Sequence, residues 1–321
     1  MKMPNVILGN LAGQLVATII SPFFNGTEIK HTRFDGVKKI GDIFPDAALA
    51  TFIAEQLKKS VSSEILCEEL YLIQNFIYKG KEKKEIIDFT GLEYLGNLRI
   101  FRITHHHHMT VIPQQLRYIY SLRVLEISSG NLDAIEAWVF QLPKIQKINF
   151  SHQKIVAIPD TIIQAKRIIL LNFSNNKIEN IPSIIGKMKS LEVLNISYNP
   201  IHQLPTEIMY LNKLRRLDVS NTQLVSLPTS LGFVKELDYL DIRNTRIEQI
   251  DSILKQRMDK HLIIHWNTQE IKVFVYPKNE YNESHIFPSA TIASSIVGFT
   301  LIGMGIASIK RFRIEKGGNN Q

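Results

Sequence analysis

Apolar residues recur along the middle of the chain with a step of 23 residues. Counting in steps of 23 from Leu122 reaches an apolar residue five times in succession, and so does the same count from Leu125, from Ile127 and from Ile135. In the column that starts at Ile135, a proline follows the apolar residue in four later units, at Pro159, Pro182, Pro205 and Pro228. A fixed period of this length indicates a repeat architecture, in which each unit forms one turn of a solenoid.

The segment Leu191–Lys213 shows the form of one unit, LxxLxLxxNxLxxLPxxIxxLxx, which is typical of a leucine-rich repeat. Leu194 and Ile196 alternate with polar residues, which predicts a short strand with these two side chains inward. Asn199 is expected in the turn, where a buried amide bonds backbone groups that the bend leaves unpaired. Stacked units form a parallel sheet. We therefore predict an α/β leucine-rich-repeat solenoid with a curved parallel sheet on its concave face.

The turn position varies from unit to unit. It carries an amide in two units, at Asn176 and Asn199, and a hydroxyl in the next two, at Thr222 and Thr245. Gly130 and Gln153 interrupt the series in two earlier units.

Four consecutive histidines, His105–His108, fall in the turn of the first unit. From Leu98 to Leu122 is 24 residues, one more than the period, so this run holds an inserted residue. Counting forward puts His106 in the turn column, and counting backward puts His107 there. Imidazoles bind zinc, copper or nickel, but no Asp, Glu or Cys lies at ligand spacing within the run. The run is interpreted as a solvated turn rather than a metal site, and no metal is predicted.

The segment before the repeats has a different pattern. Asp46 is expected near the start of a helix within Gly41–Ser60. A second helix is predicted over Ser62–Ile77 because its apolar residues have helical spacing. Cys67 lies beside that stripe and is interpreted as inert packing, since no histidine is near it in sequence. The two helices are predicted to form an N-terminal helical cap over the open end of the solenoid.

Both ends of the chain carry apolar stretches. Ala290–Ile309 has no charge and is followed by Lys310, Arg311 and Arg313. About twenty apolar residues cross the hydrocarbon of a bilayer, and the cations after them stay in the cytoplasm. We therefore predict a C-terminal transmembrane helix; a buried core helix is the alternative. The apolar run that ends at Ile20 predicts a secretory signal or an uncleaved anchor.

These features divide the chain into six parts. They are a signal peptide or signal anchor (1–26), an N-terminal helical cap (27–97), about seven leucine-rich repeats (98–260), C-terminal cap strands and stalk (261–289), the transmembrane helix (290–309) and a basic cytoplasmic tail (310–321). The repeat pattern becomes irregular after Ile253, since Arg257 occupies a column that is otherwise apolar. His261–Trp266 and Ile271–Tyr276 are predicted as two closing strands.

Composition and charge narrow the classes of function. The chain has 38 Lys and Arg against 30 Asp and Glu. Part of the excess lies in two short runs, Lys79–Lys84 and Lys310–Lys316, so nucleic acid is not predicted as a partner. The single cysteine excludes an intrachain disulfide. No nucleophile with its base, no paired carboxylates and no phosphate-binding glycine loop occur at useful spacing. The chain is predicted to be non-catalytic and to need no cofactor.

The stretch "IFPDAALATFIAEQL", a short second helical stretch and then "DFTGLEYLGNLR" resemble the N-terminal helical cap of the internalins, bacterial surface leucine-rich-repeat proteins. With the signal-like start and the apolar span before Lys310, the resemblance covers nearly the whole chain. It implies a right-handed horseshoe whose concave face binds a host or environmental macromolecule, in adhesion or invasion and hence in virulence. The chain departs from the internalins in its longer repeat, its "LP" column and its lack of the sortase signal LPxTG, which favours membrane retention over wall attachment.

The candidate ligand-binding residues are outward side chains of the predicted concave face. They are Arg102, Glu126, His152, Tyr198, Arg216, Asp218, Tyr239, Asp241 and Arg243. Asn and Asp in the central column are interpreted as ordinary repeat consensus. Tyr198, Arg216, Tyr239 and Arg243 are better candidates, because aromatic residues and arginine anchor interfaces.

The predicted function is that of a non-catalytic, adhesin-like protein on the bacterial cell surface, with a single membrane-spanning helix and its repeats outside. The predicted partners are an extracellular protein or glycan ligand and, through the C-terminal helix, the membrane. The alternative is an intracellular or membrane-associated repeat scaffold for protein assembly, with the apolar tail buried in a partner. Fractionation and protease access to intact cells distinguish the two.

Overall fold

The computed structural model describes residues 32–80, 85–258 and 262–266. Within these ranges, no helix has both the length and the apolar character needed to cross a bilayer. The signal (1–26), the second closing strand (271–276), the stalk, the membrane helix (290–309) and the basic tail (310–321) lie outside the described residues. These features therefore stay predictions.

The described chain begins with a small α/β segment. It comprises strand β1 (Val37–Lys39), helix α1 (Ile40–Ile43), helix α2 (Ala47–Leu57), strand β2 (Glu64–Leu66) and helix α3 (Cys67–Leu70). β1 and β2 pair antiparallel, with Val37 opposite Leu66. Helix α2 starts where the sequence predicted, because the Asp46 carboxylate accepts the backbone N–H groups of Ala48 and Leu49, both at 2.9 Å.

The second predicted helix, over Ser62–Ile77, is wrong for most of its length. Only Cys67–Leu70 is helical; the residues before it pair with β1, and Asn75–Lys79 form strand β3. Its apolar residues consequently do not share one face, since Leu66 is exposed whereas Leu70 is buried. The partner of β2 lies far upstream in the sequence, and local spacing carries no information about such a pairing.

The N-terminal segment packs against the first strand of the repeats. The ring centroid of Phe52 in α2 lies 4.7 Å from that of Phe76 in β3, and the ring of Phe76 stacks on Phe101 at 4.9 Å. Cys67 is buried, and burial raises the pKa of its thiol, as expected of a packing residue. Cys67, Phe76 and Phe101 belong to one continuous core with the repeats, and Phe52 packs against that core.

From β3 onward, the described residues build one parallel sheet of nine strands. After β3 the strands are β4 (Ile100–His106), β5 (Val124–Gly130), β6 (Lys147–Asn149), β7 (Leu170–Asn172), β8 (Val193–Asn195), β9 (Arg216–Asp218), β10 (Tyr239–Asp241) and β11 (Ile263–His265). Each strand pairs with the next in sequence, as in a solenoid. Leu194 lies opposite Leu217, and Leu217 opposite Leu240. This confirms the register predicted by the 23-residue step.

Between successive strands of the repeats, the chain returns through a short 3₁₀ turn. These turns are Gln114–Tyr118, Ala137–Gln141, Asp160–Gln164, Ser183–Lys187, Thr206–Tyr210 and Thr229–Phe233. Most of them follow a proline, whose restricted φ suits the entry to a helical turn. The returning arm fills the interior as predicted, since Ile201, Leu204, Ile208 and Leu211 are buried.

Buried amides connect successive turns. Asn176 Nδ2 donates to the carbonyls of Phe150 and Phe173 at 2.8 and 3.0 Å, and its Oδ1 accepts the Ile155 N–H at 3.0 Å. Asn199 makes the corresponding bonds one turn further on. The predicted role of the turn asparagine is confirmed, because each amide satisfies backbone groups of two neighbouring turns.

The expectation that Gly130 and Gln153 interrupt this series is wrong for Gln153. Its Oε1 accepts the Leu132 N–H at 2.9 Å and its Nε2 donates to the Ile127 carbonyl at 3.0 Å. Asparagine makes the same two bonds in the later turns. The longer glutamine fits because Gly130 leaves room: a Cβ on Gly130 would lie 3.0 Å from Gln153 Oε1. Gln153, with Gly130 beside it, therefore continues the series of hydrogen bonds that connect successive turns.

Arg257, in helix α4 (Ser252–Met258), fills the column that the sequence predicted to be apolar. Its guanidinium donates at 2.7–3.3 Å to the carbonyls of Gly232, Val234, Lys235 and Leu237. Arg257 therefore satisfies carbonyls at the end of the preceding 3₁₀ turn. The strand predicted within His261–Trp266 is present as β11, with Ile264 opposite Leu240.

Candidate binding face

The side chains that alternate with the core residues of each strand point away from the core. They form the face of the sheet that the sequence predicted to be concave, here called the concave face. Its central row, one residue per strand from β4 to β11, is Arg102, Glu126, Asn149, Asn172, Asn195, Asp218, Asp241 and His265. A second row on the same face includes Arg216, which lies opposite Tyr239. The rows predicted from the sequence are therefore in register.

In the middle of the concave face, the asparagines bond to the backbone. Each Oδ1 accepts, at 3.0–3.1 Å, the N–H of the serine two positions further on. The pairs are Asn149 and Ser151, Asn172 and Ser174, and Asn195 and Ser197. All six residues are buried. This supports their interpretation as repeat consensus, because a side chain bonded within its own strand end offers little to a ligand.

At the N-terminal end of the concave face, Arg102 and Glu126 form an ion pair. Arg102 Nε donates to Glu126 Oε2 at 2.6 Å, and the Arg102 side chain is 39% exposed whereas that of Glu126 is buried. Glu126 Oε1 has no hydrogen-bond partner among the described residues. The two charges of this pair compensate each other.

At the other end lie five predicted site residues, here called the C-terminal cluster: Arg216, Asp218, Tyr239, Asp241 and Arg243. Arg243 Nε donates to both Asp241 carboxylate oxygens, at 2.9 and 3.1 Å, and the Tyr239 hydroxyl donates to Oδ2 at 3.3 Å. The Arg216 guanidinium lies 5.9 Å from the centroid of the Tyr239 ring. Asp218 lies opposite Asp241 on the neighbouring strand.

The two aspartates perform the same backbone task as the asparagines. Asp218 Oδ1 accepts the N–H and the hydroxyl of Ser220 at 3.0 and 2.7 Å, and Asp241 Oδ1 accepts the Arg243 N–H at 3.1 Å. An uncharged amide meets this task elsewhere in the row, so the fold does not require carboxylates here. Like charges on directly opposite strand positions destabilise a sheet. The charge of the C-terminal cluster is thus additional to what folding needs.

The surroundings of the C-terminal cluster shift several pKa values. Burial, together with the nearby Asp241 carboxylate, raises the pKa of Asp218 to about 6. The hydrogen bond to Asp241 raises the pKa of Arg243. Burial, followed by the two carboxylates, raises the pKa of Tyr239. The Tyr239 phenol and the Arg243 guanidinium therefore keep their protons at neutral pH, and Asp218 titrates close to it.

His152 and Tyr198, the remaining predicted site residues, lie just beyond the strand ends in a column with left-handed backbone. The members of this column have φ between 54° and 58° and are His105, Ser129, His152, Asn175, Tyr198, Asn221 and Asn244. Tyr198 is 48% exposed. His152 Nδ1 accepts from Asn175 Nδ2 at 2.6 Å, and burial lowers the pKa of His152. Neither residue belongs to the C-terminal cluster.

Sequence reasoning missed His265, which extends the C-terminal cluster. Its ring centroid lies 5.0 Å from that of Tyr239, and it occupies the position opposite Asp241. Burial lowers the pKa of its imidazole. The sequence did contain a signal for this residue. His265 lies two positions after Ile263 in the predicted strand "HLIIHW", so strand alternation puts both side chains on the same face.

The prediction of a solvated histidine turn is wrong for one of the four residues. His106 lies opposite Gly130 in the turn column, as forward counting predicts, and is only 2% exposed. Its Nε2 donates to the Ile86 carbonyl at 2.8 Å. His105, His107 and His108 are exposed. In their present arrangement, no three His, Cys, Asp or Glu side chains of the described residues are placed to hold a metal ion.

Comparison with known proteins supports the repeat assignment. Residues 170–224 match the family model described as leucine rich repeat. No curated protein matches the chain. Among solved structures, internalin C2 from Listeria monocytogenes is similar, with a TM-score of 0.63 and 21% identity over 74% of this chain and 100% of that one. A leucine-rich-repeat protein of Leptospira interrogans has a TM-score of 0.45 and 22% identity over 56% of this chain and 50% of that one.

The likeness to internalin C2 bears on the fold. At 21% identity, it shows that this chain has a leucine-rich-repeat solenoid similar in fold to that of internalin C2. The predicted resemblance to the internalins is confirmed at the level of the fold. What internalins bind is a property of those proteins.

Proposed function

We propose that this chain is a non-catalytic binding protein whose C-terminal cluster contacts a macromolecular ligand, an extracellular protein or glycan. The observation that carries the proposal is the surplus charge of Asp218 and Asp241, which perform a backbone task that asparagine performs elsewhere in the row. Tyr239 and the two arginines beside them belong to residue types that anchor interfaces. The internalin-like solenoid supports the proposal, since such repeats present an extended concave surface.

The proposal includes a location on the bacterial cell surface, with the repeats outside and residues 290–309 as a single membrane anchor. The uncharged stretch and the cations after it in the sequence support this topology. Protease added to intact cells that produce the full chain is expected to cleave the repeats. Repeats that stay protected until the cells are lysed would instead favour the intracellular scaffold.

The binding role is tested with intact cells that display the full chain, probed with an array of extracellular-matrix proteins and glycans. We expect at least one array component to retain these cells, and cells that display the double variant Arg216→Ser/Tyr239→Ser to lose that retention. Lys147→Ser is the matched control, because Lys147 occupies the same strand position as Arg216 three strands earlier. Equal retention by the double variant and by the control would contradict the assignment to the C-terminal cluster.

A further inference from the structure

The buried side of the histidine turn faces a carboxylate that lies outside the run. Glu85 Oε1 accepts the His107 N–H at 3.1 Å, and Glu85 Oε2 accepts the His108 N–H at 3.2 Å. His106 Nδ1 lies 3.6 Å from the same Oε2, and His108 Nε2 lies 3.8 Å from it. One carboxylate oxygen therefore has two imidazole nitrogens close to it.

The hydrogen bond of His106 leaves Nδ1, the nitrogen nearer to Glu85, as the one that can bind a metal. Nε2 contacts the Ile86 carbonyl, which only accepts hydrogen bonds, so Nε2 carries a hydrogen. Nδ1 is buried and has no hydrogen-bond partner among the described residues. Histidines that bind metals commonly donate their other ring N–H to a carbonyl in this way, which fixes the ring and its tautomer.

Each nitrogen-to-oxygen distance, taken by itself, matches the separation of two ligands on one metal ion. Zinc binds imidazole nitrogen and carboxylate oxygen at about 2.0–2.2 Å, so two ligands at tetrahedral or wider angles lie about 3.3–3.8 Å apart. Both nitrogen-to-Oε2 distances, 3.6 and 3.8 Å, come within this range. The His108 side chain is 81% exposed, so its ring can turn towards the pair without disturbing the core. The present arrangement needs this rotation, since the three groups do not yet surround one point.

We propose that Glu85, His106 and His108 bind one zinc ion, with water as the fourth ligand. Two imidazoles and a carboxylate form a donor set that zinc prefers. The two backbone N–H groups of His107 and His108 hold the Glu85 carboxylate in place beside the imidazoles. Bound zinc would tie the chain at Glu85 to the turn after β4.

The test uses the full chain produced without an affinity tag and freed of metal with a chelator. Isothermal titration with zinc chloride is expected to give one site per chain. Glu85→Gln, His106→Asn and His108→Ala are each expected to weaken zinc binding about tenfold or more, because each removes one of three ligands. His106→Asn keeps the turn bonded, since asparagine is the amide found at this position in later repeats.

His107→Ala is the matched control. The His107 ring is not among the groups within ion-pair distance of Glu85 in the described residues, so this variant is expected to bind zinc like the native chain. Zinc is also expected to raise the melting temperature of the native chain and of His107→Ala, but not that of Glu85→Gln. Equal zinc binding by Glu85→Gln and the native chain would overturn the proposal, because the histidine run alone would then be responsible. Absence of binding by the native chain at micromolar zinc would overturn it as well.

Discussion

Arg243 and Asp241, two residues apart, form a two-pronged ion pair in which the Asp241 residue is only 1% exposed. A carboxylate buried to this extent depends on its partner, because removing one side leaves an uncompensated charge. We expect Arg243→Gln to lower the free energy of unfolding by about 3 kcal/mol. Urea denaturation at pH 7, followed by circular dichroism, measures this change.

The double variant Asp241→Asn/Arg243→Gln tests the cause of that loss. Asparagine still accepts the backbone N–H at position 243, as it does in the middle of the central row. We expect the double variant to recover most of the stability. If it is as unstable as Arg243→Gln, the loss comes from packing of the arginine side chain and not from the unpaired carboxylate.

Asp218 makes the stability of the fold depend on pH. Its pKa rises from 3.8 to about 6 on folding, so the folded state holds the proton more tightly than the unfolded chain. The resulting stability is fully present below about pH 4 and is lost as the pH rises through 6. We expect Asp218→Asn to match the native chain at pH 4 and to be more stable by about 1–3 kcal/mol at pH 7. Thermal unfolding across this pH range measures the difference.

The reverse substitution in the preceding repeat is the control for Asp218. Asn195 lies opposite Asp218 and makes the same backbone bond. Asn195→Asp places another carboxylate directly beside Asp218, which itself lies beside Asp241, and we expect it to reduce stability at pH 7 more than at pH 4. The explanation would be wrong if the melting temperature of the native chain rose steadily from pH 4 to pH 7 and that of Asp218→Asn rose by the same amount.

The register of the repeats was predictable because a 23-residue step repeats across five units and each core residue has one inward position. The first strand of the sheet was not predicted. Phe76 and Tyr78 align with Phe101 and Ile103, but at a step of 25 residues, which falls outside the period. Their apolar spacing also fits a helix, so only the pairing with β4 identifies the strand.

The sequence predicted which residues of the candidate site occupy equivalent outward positions on neighbouring strands. It did not predict which side chains contact each other. Outward positions follow from strand alternation, so the register of Asp218, Tyr239 and Asp241 came from the sequence. The contact between Glu85 and His106 could not be predicted, because Glu85 lies 21 positions before His106, in the segment that precedes the repeats. Contacts of that kind depend on how the N-terminal segment packs on the first turn.

Tyr198 has a backbone conformation that a tyrosine rarely adopts. Its φ is 54°, whereas the equivalent positions in the flanking repeats hold Asn175 and Asn221. Asparagine tolerates the left-handed region better than a bulky residue. We expect Tyr198→Asn to raise the free energy of unfolding by about 1 kcal/mol. The same substitution is expected to weaken retention of displaying cells on the array if the exposed ring contacts the ligand.

Tyr210→Asn serves as the control for Tyr198. Tyr210 is also exposed, but its φ is not positive, and its ring lies 5.2 Å from the Lys189 ammonium. We expect this substitution to lower stability slightly, by about 0.5 kcal/mol, through loss of that contact. An equal gain in stability from both variants would show that the backbone conformation is not the cause.

Arg257 stabilises the last complete unit through the carbonyls of the preceding turn, although the repeat pattern calls for an apolar residue there. Arg257→Leu restores the pattern but removes four donor contacts to carbonyls, three of them partly buried. We expect it to lower the free energy of unfolding by about 2–3 kcal/mol. Lys255→Leu, an exposed position in the same helix, is the control and is expected to change stability by less than about 0.5 kcal/mol. Urea denaturation of both variants measures these changes in the free energy of unfolding. If Arg257→Leu were as stable as the native chain, the guanidinium would contribute no net stability through its bonds to these carbonyls.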